Sequence, residues 1–393
     1  MICDCCICNS KVTTFFKLKF QDLPGGGNYT QSIGLCLNCG YIFTQNPFSQ
    51  EQLDERYKNM SKFEYDSDDY ILDNKFREQS IRQFHFLEEN INFDKVNSLL
   101  EIGAASGYNL SLYVNKCDRI LGIEPSQKNC YLGKKNYSVD MYCGMFENFY
   151  LNNKEKFDLI FLSMILEHIV DPAEFINKLK LICNKYVFIE VPILDIRHMD
   201  EPMGIFCEEH VSLFTLDSLN ELMSRAGFKL INIESNYGFN NYLPAGYPSV
   251  ATIWEKTDRI NDFPLFRFNI FSSEELLNKY ISWSFCALDE IKKIIDSIPD
   301  SLKIAVWGIG HHAAMLLANT SLSKKNIVKV YDSDVRKHHL SFAGVSISTF
   351  NENDIINGDV EAILLTTYTA QKAIKNYLVN LNTNVKLYTL YNV

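Results

Sequence analysis

Three groups of side chains in this chain have the types and spacing of groups that do chemistry. The first is cysteine: Cys5 and Cys8, then Cys36 and Cys39, form two C-x-x-C pairs about 27 residues apart. Four thiolates can close a tetrahedron around a metal ion, zinc above all, and leave no position for water, which is the pattern of a structural site. Cys3 and Cys6 repeat the spacing one register earlier, so a second ligand set is open. Cys5 and Cys8 are preferred because each pair is then followed by a small turn residue, Asn9 or Gly40. The second group lies in NSLLEIGAASG, residues 97–107, where an apolar run ends in Glu101 and then in Gly103 and Gly107. Such a run reads as a buried parallel strand entering a tight turn that opens a helix. The glycines let the backbone approach a ligand, and Glu101 can take a cationic or hydroxyl group. A second apolar run ends in Glu124, 23 positions after Glu101, where an acid normally holds a ribose diol. Phe146, in GMFENF, could cover an adenine face, and Ser163 with Met164 would border the rest of such a ligand. The third group joins acids to imidazoles: Glu208, Glu209 and His210 ahead of one helix, and Glu167 with His168 at the start of another. A histidine beside a carboxylate can be fixed in one tautomer and made more basic, as a general base requires; the competing reading of both clusters is a solvated acidic turn.

These groups need elements to position them. Ile81, Phe84, Leu87 and Ile91 recur at helical spacing, which predicts a helix over 74–91 beside the first strand. Further strands are expected over 119–125, 138–144, 157–163 and 186–192, at intervals suited to alternating helices, hence a doubly wound parallel α/β sheet with its ligands at the carboxyl ends of the strands. A helix should start after Thr215 and stop at Gly227. Residues 50–73 read as a polar, tyrosine-rich connector, and 240–271 as a packed linker. Ser272 and Glu275 then make a capping box for a long helix that Pro299 ends. A second nucleotide-type unit follows, with G-x-G-x-x-A at Gly308, Gly310 and Ala313 and a strand ending in Asp332. The expected organisation is a zinc-binding module and connector over 1–70, a main α/β domain over 71–240, and a linker, long helix and Rossmann-like unit over 241–393.

Composition narrows the function. A net charge of −10 and a pI near 5.4 give no basic field for a phosphate backbone, so nucleic acid is not an expected partner. No apolar stretch reaches the roughly 18 residues of a membrane span, and MICDCCICNS does not read as a signal peptide, so the expected compartment is the cytoplasm. Six of the 12 cysteines fall within the first 39 residues, clustering that in a reducing compartment points to metal.

The E-x-G-x-A-x-G pattern at Glu101–Gly107 resembles the class I S-adenosylmethionine (SAM) methyltransferase motif. With Cys5 and Cys8, CLNCG at 36–40, EVP at Glu190 and EEHVSLFTLDSL at 208–219, nearly the whole chain resembles the sugar C-methyltransferases of deoxysugar biosynthesis. That resemblance implies a zinc domain, a SAM domain, a C-terminal Rossmann-like domain that helps hold a nucleotide-linked keto-sugar, a catalytic Glu209–His210 pair, and a role for His168. The chain departs from the family at Cys207, where a tyrosine is usual, and at NYGFNNYLP, where a His-Gly-Gly-Ser stretch is usual. Sugar O-methylation, an NAD-dependent oxidoreductase built on Gly308–Asp332, and a non-catalytic sugar-nucleotide binder are the competing readings.

Overall fold

The structure, a computed structural model, describes residues 2–25, 27–60, 74–195, 201–236, 248–257, 271–381 and 385–391. The chain forms two compact units, Met1–Thr13, Gly34–His198 and Glu209–Leu276 in the first, and Thr14–Ile33, Met199–Glu208 and Leu277–Val393 in the second.

The strands of the N-terminal region are β1 (Ile2–Asp4), β2 (Lys11–Leu23), β3 (Gly27–Leu35) and β4 (Ile42–Thr44). They are followed by helices α1 (Gln50–Met60) and α2 (Asn74–Asn90), then by β5 (Ser98–Ile102), α3 (Tyr108–Ser111), β6 (Arg119–Glu124), α4 (Gln127–Tyr137), β7 (Asp140–Cys143) and α5 (Phe146–Asn152). The first unit continues with β8 (Phe157–Ser163), α6 (Pro172–Ile182), β9 (Cys183–Pro192), β10 (Ser212–Leu213), α7 (Leu216–Arg225), β11 (Phe228–Asn236) and β12 (Ser249–Lys256). Its main sheet has seven strands in the order β11-β12-β9-β8-β5-β6-β7. The run β9-β8-β5-β6-β7 is parallel, whereas β12 is antiparallel to both β9 and β11.

The apolar runs explain this arrangement. Six consecutive residues of β8, Phe157 to Leu162, are buried, which requires cover on both faces of the sheet. Alternation along the strands sorts them: Leu100, Ile102, Ile160 and Leu162 enter one cluster, and Leu99, Leu159, Phe161 and Phe188 the other. The first cluster also takes Cys5, Ile7, Cys36, Cys39 and Tyr41, so the cysteine-bearing segment shares the core of the main sheet.

Four expectations are revised. The stretch 50–73 contains α1, whose Leu53 is fully buried; Tyr65 and Tyr70 lie outside the described residues. The expected linker 240–271 contains β12, an almost wholly buried strand inserted between β9 and β11, while the rest of that stretch lies largely outside the described residues. On α2 the buried residues are Gln79, Gln83, Phe86 and Leu87, and Ile81 is 41% exposed, because the polar pair turns inward to meet Ser163 and Glu190. Glu167 and His168 do not begin the crossover helix; they sit in a short 3-10 turn, Leu166–His168, and α6 starts at Pro172 under the Asp171 cap. Elsewhere the spacing rules hold: Thr215 caps α7 with a reciprocal Ser218 bond, and Ser272 and Glu275 cap α8 (Ser273–Asp296).

The second unit has its own sheet. Strands β13 (Ile304–Trp307), β14 (Ile327–Tyr331), β15 (Ser341–Phe342), β16 (Val345–Ser348), β17 (Ala362–Leu365) and β18 (Lys386–Thr389) are ordered β15-β16-β14-β13-β17-β18. Asp332, the acid expected to meet a ribose there, accepts from Ile309 N at 2.8 Å, Asp334 N at 2.9 Å and Lys337 Nζ at 2.9 Å. Its carboxylate is thereby engaged within its own loops.

Among the described residues no helix is long and apolar enough to cross a membrane.

Candidate active site

The loop after β5 is shaped by its backbone. Gly103 and Gly107 both lie at φ +77, and Ala105 at φ +44, a left-handed conformation that L-residues rarely adopt. A Cβ on Gly103 would sit 2.2 Å from Ile165 Cδ1 and one on Gly107 2.7 Å from Val139 Cγ2, so a side chain at either position would push its neighbour aside on top of the strain of a positive φ. Across the sheet edge, Met164 after β8 is likewise left-handed at φ +55. The carboxyl ends of β5 and β8 thus each carry a non-glycine residue in the left-handed region.

Glu101 is 5% exposed at the end of β5. Its Oε1 accepts from Asn109 Nδ2 at 2.9 Å, and its Oε2 has no hydrogen-bond partner. Burial pushes its carboxyl up to about 8, against the pull of the Asn109 bond and with a further push from Glu124. An orphaned, buried carboxylate oxygen beside a glycine turn suits a ligand that brings its own donors or positive charge, such as the ammonium and sulfonium of SAM. Because the native state holds this proton up to about 8 and an unfolded glutamate releases it near 4.5, the native state binds more protons in that window. Stability of the ligand-free protein should therefore fall as pH rises from 5 to 8. Melting temperatures across that range should show the decline, and Glu101→Gln should lessen it, the buried Glu167 carboxyl, also held up to about 8, contributing the rest; an unchanged slope would mean that Glu101 does not carry the proton.

Glu124 does something the sequence did not announce. Its Oε2 accepts from Ala105 N at 3.0 Å and its Oε1 from Ser126 N at 3.0 Å, so it clamps the glycine loop to the start of α4. Oε1 also lies 3.5 Å from Asn129 Nδ2, so the carboxylate is held in place at the end of β6, where an acid can meet a ribose hydroxyl. Truncation to Ala should cost SAM binding roughly 1.5–3 kcal/mol for each charged hydrogen bond lost, part of it through the loosened loop. Titration calorimetry on Glu124→Ala measures this, and unchanged affinity would place the ligand elsewhere.

Phe146 is 4% exposed, with its ring 4.9 Å from that of Phe175 and 6.0 Å from that of Tyr150. The ring is committed to the core, so an adenine cover would have to come from another residue. Ser163 Oγ accepts from Gln83 Nε2 at 2.9 Å, and Gln83 also donates to Glu190 at 2.6 Å. Glu190, fully buried, meets the Arg82 guanidinium at 2.6 Å, and Arg82 reaches on to Glu234. This network ties α2 to the ends of β8 and β9, and nothing in its sequence spacing signals it.

His168 and His210, 42 positions apart in the chain, come together with ring centroids 4.9 Å apart. His168 Nδ1 donates to the Glu209 main-chain carbonyl at 3.0 Å, which leaves Nε2 as the ring's lone pair, 3.7 Å from Glu167 Oε1. Donor atoms of Glu167, His168 and His210 all lie within 4.8 Å of one another. Glu209 thus reaches His168 through its backbone, and the carboxylate grouped with the two rings is that of Glu167. Burial, opposed by its own main-chain N–H and reinforced by Glu190, pushes the Glu167 carboxyl up to about 8. The sequence offered Glu167 only as the neighbour of His168.

The four cysteines also converge. Cys5 Sγ is 3.6 Å from Cys39 Sγ, Cys8 Sγ is 3.4 Å from Cys36 Sγ, and all four lie within 4.8 Å of one another. Thiolates about 2.3 Å from a zinc ion would be about 3.8 Å apart, so the donor set fits that ion with little adjustment. Asn9 (φ 59) and Gly40 (φ +73) take the left-handed turns that bend each pair round. Cys3 and Cys6 take no part: Cys3 accepts from Gln45 Nε2, and burial pushes the Cys6 thiol up to about 12.

Comparison with known proteins then places the first unit. The profile of a family described as "Methyltransferase domain" matches residues 74–233, from α2 into β11. The tRNA U34 carboxymethyltransferase of Campylobacter curvus (strain 525.92) is 26% identical over 244 residues, 54% of this chain and 80% of that protein. Among solved structures, magnesium protoporphyrin IX methyltransferase from Synechocystis PCC 6803 aligns at a TM-score of 0.39 with 11% identity, over 53% of this chain and 100% of that one. N-methyltransferase NodS from Bradyrhizobium japonicum WM9 aligns at 0.36 with 14% identity, over 47% of this chain and 98% of that one. The chain carries a class I methyltransferase domain. The enzyme that this domain defines is an S-adenosylmethionine-dependent methyltransferase.

Proposed function

We propose that the enzyme methylates a nucleotide-linked sugar, at a carbon beside a carbonyl, with His210 as the base that prepares the acceptor. The observation that carries this reading is the cluster of Glu167, His168 and His210 in the unit that holds the glycine loop. SAM, when bound, supplies an electrophilic methyl group. What the chain must add is an aligned nucleophile and a place for its proton. His168, held in one tautomer by the Glu209 carbonyl, and the buried Glu167 fix the site around His210, whose imidazole takes up the proton. SAM would rest on Gly103 and Gly107, with Glu101 toward its amino acid end and Glu124 toward its ribose. A zinc ion on Cys5, Cys8, Cys36 and Cys39 would have a structural role, since four thiolates leave it no open position. The acidic net charge favours a small acceptor over tRNA, the substrate in the name of the Campylobacter relative.

Thermal-shift measurements test the reading. SAM should raise the melting temperature, and a nucleotide-linked keto-sugar should raise it further. A rise with NAD(H) in place of SAM would favour an oxidoreductase, and a rise with tRNA alone would move the acceptor to nucleic acid.

A further inference from the structure

We infer that Glu167, His168 and His210 form a binding site for an exchangeable first-row divalent cation of the zinc class, separate from the cysteine cluster, and that its occupation inhibits the enzyme. The inhibition rests on the functional reading above, whereas the site itself does not.

Two imidazoles and one carboxylate are the ligand set of many three-residue zinc sites, and imidazole suits zinc, copper and nickel. Their donor atoms are already within 4.8 Å of one another, so a cation could enter with small side-chain adjustments. His168 has the preparation typical of a metal-bound histidine: Nδ1–H is spent on a backbone carbonyl, and the Nε2 lone pair faces a carboxylate oxygen 3.7 Å away. At that separation the two atoms share no direct hydrogen bond. The independent observation is Glu167, which is 2% exposed and whose Oε2 has no hydrogen-bond partner. A buried carboxylate oxygen without a donor is costly, and a cation relieves it. Three protein ligands leave a fourth position open, so the ion could exchange, unlike one enclosed by four thiolates. Binding takes the lone pair of His210 that a general base needs, which makes the cation a competitor of proton transfer.

Full-length protein with zinc on its cysteine cluster can be titrated calorimetrically with zinc chloride, and with cobalt(II) chloride followed by visible absorption, without SAM or acceptor. One further equivalent should bind, and cobalt should show weak ligand-field bands without the intense sulfur-to-metal absorption. Glu167→Gln and His168→Gln should each weaken binding at least tenfold, whereas His85→Gln, at an exposed histidine, should not. Absence of a further equivalent at micromolar cation, or equal binding by the Glu167 and His168 variants, would overturn the site. Bound cation should suppress methyl transfer and a chelator restore it; binding without suppression would overturn the inhibitory role. If the cation binds but His210→Ala retains turnover, the functional reading fails while the site stands. If turnover needs His210 and no cation binds, the reverse holds.

Discussion

Cys39→Ser is expected to strip the protein of its bound zinc and to unfold more than the N-terminal segment. Binding at a four-thiolate site carries folding free energy of about 10 kcal/mol or more, comparable with the whole stability of an ordinary domain. Cys39 and Cys5 lie in the same hydrophobic cluster as Ile160, Val187 and Leu219, so losing the metal removes one wall of the core under the main sheet. Tyr41, fully buried two residues on, would lose its setting against Phe43, Phe214 and the Ser212 hydroxyl. Metal analysis with circular-dichroism melting checks this: the parent should hold one zinc per chain, and the variant should hold none and melt far lower. A variant that keeps the metal, or melts with the parent, would mean that Cys39 is not a ligand.

The second large effect concerns chemistry. His210→Ala should slow methyl transfer by about 10²- to 10⁴-fold, the usual contribution of a positioned general base, with SAM affinity little changed. Glu167→Gln keeps the shape of the buried side chain and removes a carboxyl that titrates near 8, so it should slow transfer and shift the pH profile without unfolding the protein. His168→Ala should follow His210→Ala if the two rings act as one unit. Were His168→Ala inactive and His210→Ala active, the base would be His168.

The glycine loop after β5 was legible because its demands are local: glycines at left-handed positions and acids at the ends of consecutive strands need no distant partner to be read. The cysteine register was legible for the same reason, since Asn9 and Gly40 mark the turns. What depended on long-range pairing was not legible. Strand β12 lies between Asn-, Pro- and aromatic-rich flanks, and only its antiparallel fit between β9 and β11 makes it a core strand. Gln79 and Gln83 look like a solvated helix face until the ends of β8 and β9 are brought against them. The same holds for Glu167: in the sequence it is only the neighbour of His168, whereas folding also brings its carboxylate within 4.8 Å of a His210 ring nitrogen.

The most direct test is transfer of a deuterated methyl group from labelled SAM to a panel of nucleotide-linked sugars, followed by mass spectrometry. The account predicts one labelled methyl on a keto-sugar nucleotide, on carbon, and its near-complete loss with His210→Ala. A label found on no sugar but on tRNA, or transferred equally by the His210→Ala protein, would contradict it.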